Sequence, residues 1–375
     1  MILARSAADG SPVEIEVAGG RIAAVRATSR DAGDLWVAPG LVDLQVNGFA
    51  GVDYCSPDTT LESIAGSIRS LRSTGVTRFF PTIITGGSEA MCGALRNLAR
   101  ARRELEEGAS MAGIHVEGPF ISPDDGPRGA HPRRHVRPPD RDEFQRMQEA
   151  AEGGIRLFTL APEMPGAPAL IEFLAGQGVL VCLGHTGATS GQIREAILAG
   201  AAMSTHLGNG CHGVLPRHPN YIWDQMAADE LYASLIVDGI HLPPAFVKVA
   251  VRAKGLDRAI LVTDATSPAN CPPGRYRLGD VEVELTPENR VQVVGTRTLA
   301  GSALRMDRGV ENLMRFAGLS LAQALRLATV NPARAARLEG RTGFLEVGDI
   351  ADLVLFRPDF VVEQTLVGGP SDSQR

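Results

Sequence analysis

The sequence predicts an α/β protein: a (β/α)8 barrel joined to a small β-sandwich domain built from the N- and C-terminal segments. Three observations carry this expectation. Eight short apolar runs recur through the middle of the chain. Helix-like stretches lie between most of them. Both ends instead hold short alternating stretches separated by glycine turns.

Taken in order, residues 1 to about 40 contain VEIEV and GRIAAVRA, which read as small antiparallel strands. The eight runs follow as LVDLQV, TRFFPTII, AGIHVE, IRLFTLA, VLVCLGH, AMSTHL, LYASLIVD and AILVTDA. Stretches such as TLESIAGSIRSLRSTG, SEAMCGALRNLARARRELEEG, APALIEFLAGQG and TSGQIREAILAG have helical spacing. Several close on the glycine that a helix C-terminus prefers. A doubly wound sheet is the competing architecture; eight runs with helical crossovers favour the barrel. RYRLGDVEVELTPENRVQVVG reads as a hairpin excursion after the eighth run, followed by a helical tail. From about residue 341, TGFLEVGDIADLVLF and FVVEQTLVGG return to strands, and the tip GGPSDSQR is expected to fray. The predicted division is residues 1–40 with 341–375 as the small domain and 41–340 as the barrel.

Composition excludes several classes. The 375 residues are 44% hydrophobic and 21% charged, an ordinary globular mix. A net charge of −6 argues against a general nucleic-acid binder. No apolar run reaches the roughly 20 residues that span a membrane, and the N-terminus lacks the pattern of a signal peptide. Cys55, Cys92, Cys182, Cys211 and Cys271 have no paired spacing, which suits reduced thiols in a cytoplasm. No GxGxxG follows an early strand, so a dinucleotide-binding fold is set aside.

In a barrel, chemistry sits where strands end. Polar residues collect there: Gln45 and Asn47 after the first run, His115 and Glu117 on the third, His185 after the fifth, and His206 with Asn209 after the sixth. Asp238 and His241 follow the seventh, and Asp264 the eighth. Each alone has a bland explanation, as a hydrogen-bonded structural group or a helix cap. Together they would concentrate the cost of buried carboxylates and imidazoles at one rim, and a shared metal accounts for all of them. Two His and one Glu can hold zinc with water as the fourth ligand. That water's pKa would fall toward ~7, and Asp264 could act as general base.

The motifs PGLVDLQVNG, HVEGPF, GHTGAT, THLGN, DGIH, VTDAT, AGSAL and NPARAARLEGRTGFLEVGDIADLVLF resemble, in this order, the N-acetylglucosamine-6-phosphate deacetylases of the amidohydrolase superfamily. The resemblance covers nearly the whole chain. It implies hydrolysis of the acetamide of an amino-sugar phosphate, most directly N-acetylglucosamine 6-phosphate to glucosamine 6-phosphate and acetate. Some members carry His-x-His on the first strand and hold two metals; others carry Gln-x-Asn and hold one. Gln45 and Asn47 place this chain with the latter. By the same analogy Glu117, His185 and His206 bind one divalent ion per subunit, zinc foremost, with iron, cobalt or manganese also suited to the site. Asp264 is the catalytic base and His131 polarises the acetamide carbonyl. Gln45, Asn47, Ala130, His131, Asn209 and Gly210 are implied substrate contacts. So are Arg217, Asp238 and His241, with the backbone of Leu299, Ala300 and Gly301. In the family the arginine can come from a neighbouring subunit, which implies a homodimer. His115 has no ligand role in the resemblance and reads as structural.

The chain departs from the family pattern at Gly210, Cys211 and His212, and around Arg217, where it reads Pro216-Arg217-His218-Pro219. A second hypothesis therefore keeps the enzyme and changes the substrate to an epimeric or unphosphorylated N-acyl sugar, or another small amide. A third is a catalytically silent barrel used as a binding scaffold; retention of Glu117, His185, His206 and Asp264 argues against it. Trp223 reads as packing rather than sugar stacking, and nothing marks Cys211 as a nucleophile.

Overall fold

The computed structural model describes residues 1–341 and 343–368. Most of the tip expected to fray thus lies outside the described residues. Its first residue, Gly368, is buried; its N–H donates to Asp352 Oδ1 at 3.0 Å.

The eight apolar runs form eight parallel barrel strands: β1 (Leu41–Val46), β2 (Val76–Ile84), β3 (Ile114–Glu117), β4 (Ile155–Leu160), β5 (Leu180–Leu183), β6 (Met203–Ser204), β7 (Tyr232–Ile236) and β8 (Ala259–Val262). They pair in sequence order in one sheet. The seam between β8 and β1 is bridged where Val46 pairs with Ala265. Asp43 reinforces it, accepting from Thr263 N at 3.2 Å and Thr263 Oγ1 at 2.5 Å. Inside the barrel, Val42, Leu44, Phe80, Leu157, Cys182 and Ile260 pack together. A larger apolar layer lies between the strands and the surrounding helices.

The helices start and stop where local chemistry directs. Thr60 caps Leu61–Arg72. Thr189 and Gln192 form a reciprocal capping box on Ser190–Ala199, which ends at Gly200 in a left-handed conformation. No helix of the described residues is long and apolar enough to cross a membrane.

The excursion after β8 differs from the expected hairpin. It is a three-stranded antiparallel sheet, Gly274–Leu278, Val281–Leu285 and Val291–Val293. The extra strand forms because the chain reverses again at Thr286–Arg290, with Asn289 left-handed at φ 60°.

The chain ends do meet. Four N-terminal strands and two C-terminal ones, Leu353–Arg357 and Val361–Leu366, form one six-stranded sheet around Ala4, Ile15, Ile22, Val37, Leu353 and Leu355. Its strand Trp36–Pro39 runs almost directly into β1. We propose that residues 1–40 with 341–375 and residues 41–340 are the two folding units. The joint is ionic. Arg78 donates to both oxygens of buried Asp352, at 2.6 and 3.0 Å, and Arg341 Nη1 donates to Oδ2 at 2.9 Å.

Candidate metal centre and active site

At the C-terminal rim three ligand atoms converge. Glu117 Oε1 lies 3.1 Å from His185 Nε2 and 2.8 Å from His206 Nε2, and the two nitrogens are 3.1 Å apart. All three side chains are buried. Glu117 ends β3, whereas both histidines follow their strands with left-handed backbones, φ 52° at His185 and 30° at His206. Asp264, with φ 51°, does the same after β8. Such conformations cost of order 1–3 kcal/mol each and persist where surrounding structure enforces them.

This set fits a divalent cation. Ligands about 2.1 Å from a tetrahedral ion stand about 3.4 Å apart, a few tenths of an ångström more than the edges of this triangle. His185 donates Nδ1–H to Pro127 O at 2.8 Å, leaving its Nε2 lone pair facing Glu117 and His206. Two imidazole nitrogens this close to each other and to a carboxylate need a positive charge between them. His206 Nδ1 is buried with no hydrogen-bond partner among the described residues.

Asp264 stands beside this cluster with one oxygen fixed. Its Oδ1 accepts from Asn47 Nδ2 at 2.7 Å and from Gln45 Nε2 at 3.0 Å. Gln45 Nε2 also donates to Glu117 Oε1 at 3.0 Å. Burial, reinforced by the charge of Glu117, pushes Asp264 up to about 6. Gln45 and Asn47 reach this place through a bulge. Asp43 pairs with Phe79 and Val46 with Pro81, so β1 spends one residue more than β2. The inward face passes from Val42 and Leu44 to Gln45 and Asn47.

His131 faces the cluster from a loop. Its Nδ1 accepts from Thr85 N at 3.4 Å and contacts Thr85 Oγ1 at 2.8 Å, which places the ring hydrogen on Nε2. That nitrogen lies 3.9 Å from Glu117 Oε2. Burial, with His185 alongside, holds His131 well below the usual imidazole range, so it is a neutral donor.

Over these groups lies a cavity of about 100 Å³. Of the residues expected at the site, Asn47, Ala130, His131, Asn209, His241, Leu299, Ala300 and Gly301 line it, along with Glu117, His185, His206 and Asp264. Ile84, Gly129 and Leu278 complete the wall. Four expected contacts are placed elsewhere. Gln45 lies behind Glu117 and Asp264. Gly210 packs on His185: a Cβ there would come within 2.8 Å of the ring, and its φ of 54° favours glycine. Asp238 holds His241, with Oδ2 2.6 Å from Nδ1. Arg217 sits on an exposed loop outside the lining.

The remaining residues have plainer settings. His115 spans Leu44 O at 3.1 Å and Thr159 Oγ1 at 2.8 Å inside the barrel. His212 bonds to the Tyr221 hydroxyl, and Trp223 is half exposed away from the cavity. Sequence reasoning missed Thr85 and Glu163. Thr85 ends β2's apolar run, and its strand-end position was a signal. Glu163 accepts from Thr186 Oγ1 at 2.5 Å and Gly187 N at 2.6 Å, pinning the loop after His185; nothing in its local sequence marks it.

Fold and rim together define a barrel hydrolase with a carboxylate–imidazole site able to hold a divalent metal. The amidohydrolase family model matches residues 36–370. The N-acetylglucosamine-6-phosphate deacetylase of Bos taurus is 37% identical over 351 residues, covering 91% of this chain and 84% of that protein. That of Bacillus subtilis (strain 168) is 34% identical over 340 residues, covering 90% and 84%. The solved N-acetyl-D-glucosamine-6-phosphate deacetylase of Mycobacterium smegmatis superposes with a TM-score of 0.89 at 33% identity, covering 98% of each chain. The chain belongs to the amidohydrolase family, in its N-acetylglucosamine-6-phosphate deacetylase branch.

Proposed function

We propose that this enzyme hydrolyses the acetamide of N-acetylglucosamine 6-phosphate, giving glucosamine 6-phosphate and acetate. A variant of the Mycobacterium smegmatis enzyme has been solved in complex with N-acetyl-D-glucosamine-6-phosphate, at 32% identity and a TM-score of 0.89 to this chain. The observation that carries the reading is the convergence of Glu117, His185 and His206 beside an Asp264 with one oxygen fixed by amides.

Glu117, His185 and His206 hold the metal, for which we propose zinc, one per subunit; iron, cobalt and manganese suit the same donors. When bound, the ion supplies Lewis acidity that polarises the substrate carbonyl and lowers the pKa of water toward ~7. Asp264, with Oδ1 fixed by Asn47 and Gln45, uses Oδ2 to take the proton of the attacking water. As the C–N bond breaks it returns that proton to the leaving nitrogen. A buried carboxylate with one oxygen fixed and the other left free can make both transfers. His131 Nε2–H donates to the carbonyl oxygen, a contribution of a few kcal/mol. The small cavity seats the acetamide end. Asn209, His241 and the backbone at Leu299–Gly301 hold the sugar at its mouth.

The test is acetate release from N-acetylglucosamine 6-phosphate by zinc-loaded protein and its Asp264→Asn variant. Turnover that Asp264→Asn abolishes supports the reading; no turnover removes this substrate. A second reading, an epimeric or unphosphorylated N-acyl sugar, is favoured by the placement of Arg217 outside its own cavity. Equal rates on phosphorylated and plain substrates, with no effect of Arg217→Ala, would select it. In the first reading the protein is a homodimer, and Arg217, exposed and outside its own cavity, serves the neighbouring site; loss of activity on the phosphorylated substrate alone in Arg217→Ala separates this from the second reading. The unpaired thiols suit a cytoplasmic enzyme.

A further inference from the structure

The end of the barrel opposite the active site carries two adjoining cavities, of about 330 and 300 Å³. Arg156 and Arg337 line both. Arg78, Arg102 and Arg341 line the first as well, and Arg258 and Arg334 the second. Seven arginines thus gather in a chain whose net charge is −6. Asp352 engages Arg78 and Arg341, and Glu339 is the one acidic residue among the described lining.

The rest are not neutralised. Among the described residues, the side chains of Arg156 and Arg337 have no hydrogen-bond or ion-pair partner, and Arg102 donates only to Met111 O at 3.2 Å. Arg258 stacks over the Tyr232 ring at 4.6 Å without an acid. Helix dipoles explain part of this. Arg102 and Arg258 lie in the last turns of their helices, and Arg334 in the last turn of Val330–Ala335, where a cation is favoured. They do not explain Arg156, the second residue of β4, or Arg337, beyond its helix with φ 51°. The position of Arg156 is built: its stem lies over Gly113, where a Cβ would meet Arg156 Cγ at 2.6 Å. Burial and the nearby Arg156 both disfavour the charged form of Arg102, so these like charges are held together at a cost.

We propose that this pair of cavities binds a small phosphorylated metabolite, its phosphate oxygens bridging Arg156, Arg337 and Arg102. Guanidinium forks donate paired hydrogen bonds to phosphate, and cavities near 300 Å³ are of small-ligand size. The site is separate from the catalytic rim and independent of the substrate assigned there.

The test uses the metal-loaded full chain with inorganic pyrophosphate as probe, read by calorimetry and by the shift of the melting temperature. Wild type, Arg156→Ala/Arg337→Ala, Arg156→Lys and Arg217→Ala are compared. The proposal expects saturable binding that weakens at least about tenfold in the double variant and partly in Arg156→Lys, which keeps charge but loses the fork. Arg217→Ala should leave binding unchanged, and the double variant should release acetate at the wild-type rate. An unchanged ligand-free melting profile for Arg156→Lys separates loss of binding from loss of folding. No saturable binding, or binding that the Arg156→Ala/Arg337→Ala variant leaves undiminished (the result that pyrophosphate held by the active-site metal would give), overturns the proposal. So does binding of heparin without binding of pyrophosphate, since a long polyanion would mark an open surface instead.

Discussion

Asn47 donates its side-chain amide to Asp264 Oδ1 across 2.7 Å, tying the end of the first barrel strand to the residue that follows the eighth. The bond fixes the orientation of the proposed base and favours its ionised form.

Asn47→Ala removes that donor. A hydrogen bond to a charged group contributes about 1.5–3 kcal/mol, so kcat should fall about 10- to 100-fold with a smaller change in KM. The Asp264 pKa should rise, because the lost bond had lowered it. The acid limb of the kcat–pH profile should then move to higher pH. A pH–rate series on both proteins decides it; an unmoved limb removes Asp264 as the titrating base.

Chelation should abolish acetate release, and added zinc should restore it. Binding to the folded state alone at about 1,000 times Kd stabilises by about 4 kcal/mol, so the melting temperature should rise with metal. His206→Ala should retain substoichiometric metal by elemental analysis and show no such rise. Stoichiometric metal in that variant would place the ion elsewhere.

Asp352→Ala leaves the Arg78 and Arg341 guanidinium groups without their shared acid. Breaking a buried ion pair from one side costs about 3–5 kcal/mol. Denaturant titration should show that loss, while kcat per folded molecule stays within about twofold. A stability loss below about 1 kcal/mol would show that the joint between small sheet and barrel does not depend on it.

Lys254 is buried, donating to Ala228 O at 2.6 Å and Leu231 O at 3.1 Å. Burial pulls it down to about 8 from 10.5. Between those values the unfolded chain keeps a proton that the folded chain has released, so this group's contribution to stability rises with pH. Lys254→Met should flatten the curve of unfolding free energy from about pH 8 to 10.5 relative to wild type. Parallel curves for the two proteins would show that Lys254 does not titrate in that window.

Much of the architecture was legible because apolar spacing is a local property of the chain. Each of the eight runs became a strand, and the polar residues just beyond Val116, Leu183, Ser204 and Val262 marked the rim. Glu117, His185, His206 and Asp264 could be picked out for that reason. Asp43, Thr85 and Glu163 were harder, since each acts on a residue distant in sequence: Thr263, His131 and the Thr186 loop.

The sequence by itself determined the strand order, the sheet shared by both termini and the residue types at the rim. Only the tertiary structure decided which way those residues face. The bulge in β1 turns Gln45 and Asn47 inward because that strand pairs out of step with β2, a fact of two strands and not of one. Asp238 turned out to hold His241, three residues further along the same loop, and Arg217 to stand on an exposed loop outside its own cavity. Periodicity fixes a side chain's face relative to its chain neighbours; its partner is set by whatever else the folded backbone brings within reach.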